Sequence, residues 1–352
     1  MKLKINFIIP FTGKTGGIKI IFEYANRLSE CGHDIVIYVP MRAYRFNNKG
    51  IIGKLKTIKS SIGNTFKRGT KVDWFRLNVP VKLVPKINNK YIRDADVVIA
   101  TAWPTAYDIY NLDDMKGKKY YFIQHYEIWS GKKEEVDNTY KLPLKQIVIA
   151  QWLKDLMKNK FKKSNVDIAY NGIDFNEFYN NRKNFNNNII SMMYSRQDWK
   201  GYKEGLKAFE GIRDRYPNLK LILFGMEKGD DIPDYADFYL NPSKEELRQI
   251  YSASDIFIFP SKFEGWGLTP LEAMACKCAV VGTRVGCFDE IGIHSQNVML
   301  SEPNDTDTME YNIQQLLDDK QLLRNISEAG YKSVLKFDWN KSVENFEKIL
   351  RR

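Results

Sequence analysis

The apolar positions of this chain fall in short unbroken runs rather than in strict alternation. Ile5 to Pro10, Ile35 to Pro40, Asp96 to Thr101, Tyr120 to His125, Ile147 to Ala150 and Asp167 to Tyr170 each read as a strand. Strands without a polar face belong to parallel sheets covered on both sides. Between the first two runs, Ile21, Ala25 and Leu28 repeat at helical spacing, and Gly32 stops the helix. Asn171-Gly172-Ile173-Asp174 is a turn signal, and an Asn-rich stretch follows from Asn180 to Asn188. A second alternation then begins with strands at Ile189 to Tyr194, Leu219 to Phe224, Ile256 to Pro260 and Ala279 to Thr283. The pattern predicts two doubly wound α/β domains meeting near residue 171, with an amphipathic last helix from about Trp339 to Leu350.

Length and composition agree with two real cores: 352 residues, 43% of them hydrophobic. No apolar stretch reaches the ~18 residues of a spanning helix. The start, Met1-Lys2-Leu3-Lys4, leads straight into a strand rather than a signal peptide, so a cytoplasmic protein is expected. Cys31, Cys276, Cys278 and Cys287 are too few and too clustered for a disulfide framework, and Cys276-x-Cys278 reads as packing rather than zinc. The net charge of +11 is concentrated: residues 41–93 hold 14 basic residues against one acid, Asp73. Ile51, Ile52, Leu55, Ile58, Ile62 and Phe66 interleave that segment. Such a segment suits an anionic membrane surface, with nucleic acid as the competing partner and a plain solvated face as the bland alternative.

The most informative chemistry lies at residues 263–275, Phe-Glu-Gly-Trp-Gly-Leu-Thr-Pro-Leu-Glu-Ala-Met-Ala. It leaves an apolar strand, crosses a glycine-rich loop and enters a helix. That arrangement forms a crevice for a ligand bearing hydroxyls and phosphates. Thr269-x-x-Glu272 has capping-box spacing with Pro270 at the first helical position, so Glu272 serves either as a cap or toward a ligand. Glu264 sits between flexible residues where no cap explains it.

Glu264 and Glu272, eight apart across this loop, resemble the paired-glutamate motif of glycosyltransferase family 4, retaining enzymes of the GT-B fold. Other landmarks recur in order from Gly16-Gly17 to Glu290, although residues 41 to 93 carry no matching motif. The resemblance implies two Rossmann-like doubly wound domains with an interdomain cleft. Residues 1–171 would take the acceptor, residues 172–336 the donor nucleotide, and the helix of 337–352 would cross back to the first domain.

Gly13-Lys14-Thr15 is not a P-loop, because the required first glycine would fall on Ile8. Gly16 and Gly17 either make a plain turn or, as the resemblance implies, lie against the donor diphosphate and the acceptor. His125, ending its strand, is a structural histidine or the family's first-domain histidine facing the donor sugar or phosphate. Arg196 and Lys200 are an exposed pair or, matching the family's Arg-x-x-x-Lys-Gly, the cations that stabilise the leaving diphosphate. No metal or other cofactor is then required, and no Asp-x-Asp is read as a metal site. Glu264 would hold the transferred sugar and Glu272 the ribose. Gly265, Trp266, Gly267 and Leu268 would offer backbone amides.

Gly282 to Glu290 resembles the family's second glycine loop, with Cys287 in place of a glycine; Arg284 is an added cation or a surface residue. Tyr126-Glu127-Ile128-Trp129 belongs to the acceptor side or to the core. The expected activity is transfer of a sugar from a UDP-, GDP- or dTDP-linked donor to a glycan or polyprenyl-linked glycan in cell-surface polysaccharide assembly. The expected location is cytoplasmic or peripheral on the inner face of the membrane, with no nucleic-acid partner. A sugar-nucleotide epimerase of the same fold and a non-catalytic basic membrane- or nucleic-acid-binding protein are the alternatives.

Overall fold

The computed structural model describes residues 2–44, 46, 61, 72–181 and 183–352. The segment with Ile51, Ile52, Lys54, Leu55, Lys56, Ile58, Lys59, Ile62, Phe66, Lys67 and Arg68 lies outside the described residues, and with it most of the basic segment read above. The chain divides into two units, Met1–Tyr170 with Val343–Arg352, and Asn171–Ser342.

In the first unit the strands are β1 (Lys4–Ile8), β2 (Asp34–Pro40), β3 (Val81–Val84), β4 (Val97–Ala100), β5 (Lys118–Ile123), β6 (Lys145–Val148) and β7 (Val166–Ile168). Its helices are α1 (Gly16–Glu30), α2 (Trp103–Tyr110), α3 (Lys133–Lys141) and α4 (Gln151–Phe161). The strand order is β3-β2-β1-β4-β5-β6-β7, with every pair parallel. β1 is central: Ile5 lies opposite both Ile35 and Val97, and all of β1 after Lys4 is buried. Burial on both faces is why its sequence shows no polar alternation. Thr15 caps α1 by accepting the Ile18 N–H, and the helix buries Ile18, Ile21, Ala25 and Leu28 on one stripe.

The second unit has β8 (Ile189–Met193), β9 (Lys220–Gly225), β10 (Ala236–Leu240), β11 (Ile256–Phe259), β12 (Ala279–Thr283) and β13 (Met299–Ser301). Its helices are α5 (Tyr202–Arg213), α6 (Lys244–Ala253), α7 (Leu268–Ala275), α8 (Phe288–Ile291), α9 (Thr306–Asp318) and α10 (Lys320–Val334). The order β10-β9-β8-β11-β12-β13 is again all parallel. Ile190, Met192, Ile256, Ile258 and Val281 form the centre of its core with Phe209 and Ile313 from the covering helices.

The final helix, α11 (Trp339–Arg351), gives Val343–Arg352 to the first unit. There Phe346 packs on Tyr24 and Phe122, with ring centroids 4.4 and 5.3 Å away, and the Tyr120 hydroxyl donates to Ile349 O. Burying a phenylalanine in this way contributes about 1.5–3 kcal/mol.

Three strands escape the sequence pattern. β3 and β10 are edge strands that are only partly buried, and Val81-Lys82-Leu83-Val84 and Ala236-Asp237-Phe238-Tyr239-Leu240 carry no unbroken apolar run. β13 is buried but only three residues long.

Candidate active site

In both sheets the strand order reverses beside the first strand, between β1 and β4 and between β8 and β11. Loops leaving neighbouring strands there diverge and open a crevice at the carboxyl ends. In the second unit those loops are Tyr194 to Gly201 and Pro260 to Gly267, which hold Arg196, Lys200, Glu264, Gly265, Trp266 and Gly267 of the residues singled out from the sequence.

Gly201 decides how closely the two loops approach. It has φ +67°, and a Cβ there would stand 1.9 Å from Pro260 O, so only glycine fits. It closes the short 3₁₀ turn Asp198–Lys200 and starts α5. The turn presents Lys200 to the second loop, where its Nζ lies 2.5 Å from Glu264 Oε1. The Ser261 hydroxyl donates to the same oxygen at 3.0 Å. Lys200 and Glu264 side chains are only 22% and 11% exposed, so their charges are poorly screened. The loop after β12 lies directly beneath. Gly286 has φ +61°, and a Cβ there would fall 2.5 Å from Trp266 O and 2.9 Å from Glu264 Cβ. The Cys287 N–H donates to Trp266 O at 2.6 Å. Cys287 is fully buried, and that burial pushes its thiol well above the ordinary range. The cysteine in place of the family's glycine is therefore accommodated as a small core residue.

Arg196 shares the loop of Lys200 but turns elsewhere. Its guanidinium donates to Lys228 O at 3.2 Å and stands 3.9 Å from Glu227 Oε2. It borders a cavity of about 440 Å³ formed with Ser195, Gln197, Tyr202, Lys203 and Asp231, a cavity that neither Lys200 nor Glu264 lines. Arg196 and Lys200 thus pair with different carboxylates, Glu227 and Glu264.

Two further expectations change. Gly267, φ +100°, is the cap of α7, and the helix begins at Leu268 without a side-chain cap bond. Thr269 and Pro270 are its second and third residues, so Thr269-x-x-Glu272 is not a capping box. Backbone geometry at the glycine starts the helix two residues before the spacing suggests. Glu272 is instead buried toward α6, where its charge adds to the burial that raises the Tyr251 phenol. Trp266 is 2% exposed and packs edge-on to Phe337 at 5.2 Å, so its indole belongs to the core. Arg284 is exposed and pairs with Glu302 at 3.3 Å. Glu290 lies in the first turn of α8. Asp-x-Asp spacing does occur, at Asp94-Ala95-Asp96 and Asp305-Thr306-Asp307. Asp94 takes Lys116, Asp96 takes the Lys4 N–H, and Asp305 caps α9.

In the first unit Gly16 and Gly17 open α1 after β1. A Cβ on Gly16 would meet nothing within 4 Å, whereas one on Gly17 would touch the Gln124 amide, which donates to Gly17 O at 3.1 Å. His125 follows Gln124 at the end of β5. Its ring stands edge-on to Trp129 at 4.3 Å and to Trp152 at 5.8 Å. The other two histidines serve the backbone: His33 Nδ1 accepts the Leu3 N–H and His294 Nδ1 the Leu300 N–H.

One residue of these loops, Lys262, was missed by sequence reasoning, and Glu127 was read only as part of the stretch 126–129, with no role of its own. Glu127 accepts the Trp103 N–H at the start of α2 at 2.8 Å and the Tyr121 hydroxyl at 3.3 Å. Burial pushes its carboxyl up to about 7 despite those donors. Lys262 ties Asp198 and Glu204 together. The available signals were an acid inside the aromatic stretch at 126–129 and a lysine two residues before Glu264.

The fold is thus that of two Rossmann-like α/β units, the second with a paired lysine and glutamate at its switch point. Residues 174–333, most of the second unit, match the family model for glycosyl transferases group 1. Over 107 residues the chain is 36% identical to the N-acetyl-alpha-D-glucosaminyl L-malate synthase of Bacillus anthracis, covering 30% of this chain and 28% of that one. It is 27% identical to the capsular polysaccharide biosynthesis glycosyltransferase CapM of Staphylococcus aureus, covering 53% and 56%. The matched stretches span from 28% to 58% of the length of the first curated relatives. Among solved structures, Anabaena HepE in complex with UDP and glucose shares the fold with TM-score 0.75, 14% identity and 99% of each chain covered. Among the described residues, no helix is long and apolar enough to cross a membrane.

Proposed function

We propose that the protein is a retaining glycosyltransferase that needs no metal and moves a sugar from a nucleotide-sugar donor to a glycan or lipid-linked glycan. The Lys200–Glu264 pair at the switch point of the second sheet carries this reading. A lysine placed there can follow the charge that grows on a departing diphosphate, and the neighbouring carboxylate can hold the hydroxyls of the sugar. Arg196, one turn away, gives a second cation for the diphosphate once it leaves Glu227. Glu272 takes the ribose, and the amides of Gly265, Gly267 and Leu268, with that of Trp266, take the sugar or phosphate.

In the reaction the bond between the anomeric carbon and the diphosphate oxygen breaks, and the nucleoside diphosphate leaves with the electron pair. The acceptor hydroxyl bonds to the same face of that carbon and passes its proton to the departing phosphate oxygen. His125 contacts the donor sugar or phosphate, Gly16 and Gly17 lie against the donor diphosphate and the acceptor, and the first unit takes the acceptor. The likeness to CapM favours a polysaccharide acceptor, and the UDP held by HepE favours a nucleotide-linked donor. The basic segment 41–93 supports contact with an anionic membrane where a lipid-linked acceptor resides.

The test is a panel of UDP-, GDP- and dTDP-sugars, read by thermal shift, nucleotide release and the anomeric configuration of the product. One nucleotide class should raise the melting temperature, by an amount set by concentration over Kd. Turnover should survive chelation and give product with the donor's anomeric configuration. If no nucleotide shifts melting and the protein is inert both with chelator and with Mg²⁺, the reading is wrong.

A further inference from the structure

The loop after β11 carries a lysine that the proposed chemistry leaves unused. Lys262 Nζ stands 2.9 Å from Glu204 Oε1 and 3.0 Å from Asp198 Oδ2. Its backbone N–H donates to Trp199 O at 2.8 Å. One residue is therefore bonded to the start of the 3₁₀ turn, to its middle, and to the first turn of the helix that follows.

The three attachments differ in weight. Asp198 is 82% exposed, so its pair is weak by itself. Lys262 and Glu204 side chains are 20% and 23% exposed, a setting in which an ion pair is screened less. The two carboxylates, Glu204 first, hold the ammonium in its charged form. A three-residue 3₁₀ turn has little internal bonding, so outside bonds fix where it sits. Lys200 is the last residue of that turn, and Glu264 lies two residues after Lys262. The clamp thus joins the same two loops that the Lys200–Glu264 pair spans.

We propose that Lys262 is a positioning residue that clamps the Asp198–Lys200 turn to the loop after β11, so that Lys200 is presented at fixed reach of Glu264 and of the diphosphate bound beside it. The clamp itself stands on this ion-pair geometry; its catalytic consequence rests on the glycosyl-transfer reading. Without the clamp Lys200 spends less time in place, which weakens what it does for the departing group more than what it does for binding.

Two readouts on Lys262→Met, Lys262→Arg and Glu204→Gln separate these claims. In hydrogen exchange, the backbone amides of residues 198–201 should lose about tenfold protection in Lys262→Met while those of β8, β11 and α7 keep theirs. In kinetics, kcat of Lys262→Met should fall about tenfold with donor KM within about twofold, and Lys262→Arg should recover most of the loss. Glu204→Gln combined with Lys262→Met should cost no more than Lys262→Met alone, as for two members of one clamp. Unchanged exchange at 198–201, or additive losses in the double variant, overturns the proposal. So does lost protection with unaltered kcat. If the parent is inert with every donor, the glycosyl-transfer reading fails, and the exchange experiment still decides the clamp.

Discussion

The two units use one scaffold and fill its crevice differently. Each has an all-parallel sheet whose order reverses beside its first strand. In the second unit the loops at that point are bound by charge: Lys200 to Glu264, Lys262 to Asp198 and Glu204, Arg196 to Glu227. In the first unit β5 and the residues that follow it are held by rings and amides. His125 sits against Trp129 and Trp152, Tyr121 stacks on Tyr140 at 5.7 Å, and Gln124 reaches Gly17 O. Fixed charges suit a ligand whose charge is always in the same place, such as a diphosphate. Aromatic faces and hydrogen-bonding side chains suit a ligand that presents ring faces and hydroxyls. The contrast supports assigning donor and acceptor to different units.

The largest expected effect breaks the charged half. Glu264→Gln keeps the shape of the side chain and removes the charge that faces Lys200. On the proposed reaction, kcat/KM should fall by about 10²- to 10³-fold, in line with loss of one preorganised electrostatic partner. The fold should survive, because the residue lies on a loop. Steady-state kinetics and a melting curve measured on the same sample check both parts. A variant within twofold of the parent would leave the second unit's charges as structural pairs and end the contrast.

Two glycines sharpen the comparison at the next level. Gly201→Ala places a methyl 1.9 Å from Pro260 O at a residue with φ +67°, so the second unit should lose about 2–4 kcal/mol. Gly16→Ala meets open space at the start of a helix and should change stability by less than about 1 kcal/mol. If Gly16 lies against a ligand, the same methyl lowers turnover without lowering the denaturation midpoint. Urea melts of both variants measure the first effect, and initial rates the second. Equal stability losses would remove the claim that Gly201 is needed for loop closure where Gly16 is not.

What the sequence revealed follows the same divide. Strands buried on both faces, such as Ile5-Asn6-Phe7-Ile8, announce themselves, because their composition is set by burial. Edge strands β3 and β10 do not, because half of their surface faces water. Glu264 and Lys200 were legible since polar residues beside glycines in a loop have few structural explanations. The turned-away guanidinium of Arg196 was not, because Glu227 and Lys228 that engage it lie on another loop. Glu272 and Trp266 were placed correctly in sequence, but their burial depends on Tyr251 and Phe337, far along the chain. Lys262 carried no signal beyond its place two residues before Glu264, since a lysine in a loop reads as solvent-facing until its two acids are seen.

The smallest effect tests the buried carboxyl of Glu127 in the ring-lined stretch of the first unit. Burial holds the Glu127 carboxyl at about 7, above the ordinary value of 4.5. The folded protein then binds a proton more tightly than the unfolded chain between those values. Its contribution to stability is full below about pH 4.5 and is lost as pH rises through about 7. Solvent access and relaxation reduce the ideal effect, so a loss of about 1–2 kcal/mol is expected over that window. Glu127→Gln keeps an acceptor for the Trp103 N–H and removes the titration. Lysine-paired carboxylates such as Asp137, held low beside Lys133 and Lys160, stay ionised in both states across this window and are the same in parent and variant. The difference between the two proteins therefore isolates Glu127. Urea melts at pH 5 and pH 7.5 should show the parent losing more stability than Glu127→Gln across the interval. Parallel losses would mean that Glu127 is as well solvated as an ordinary surface acid, and the first unit's loop would then be no less polar than the second unit's.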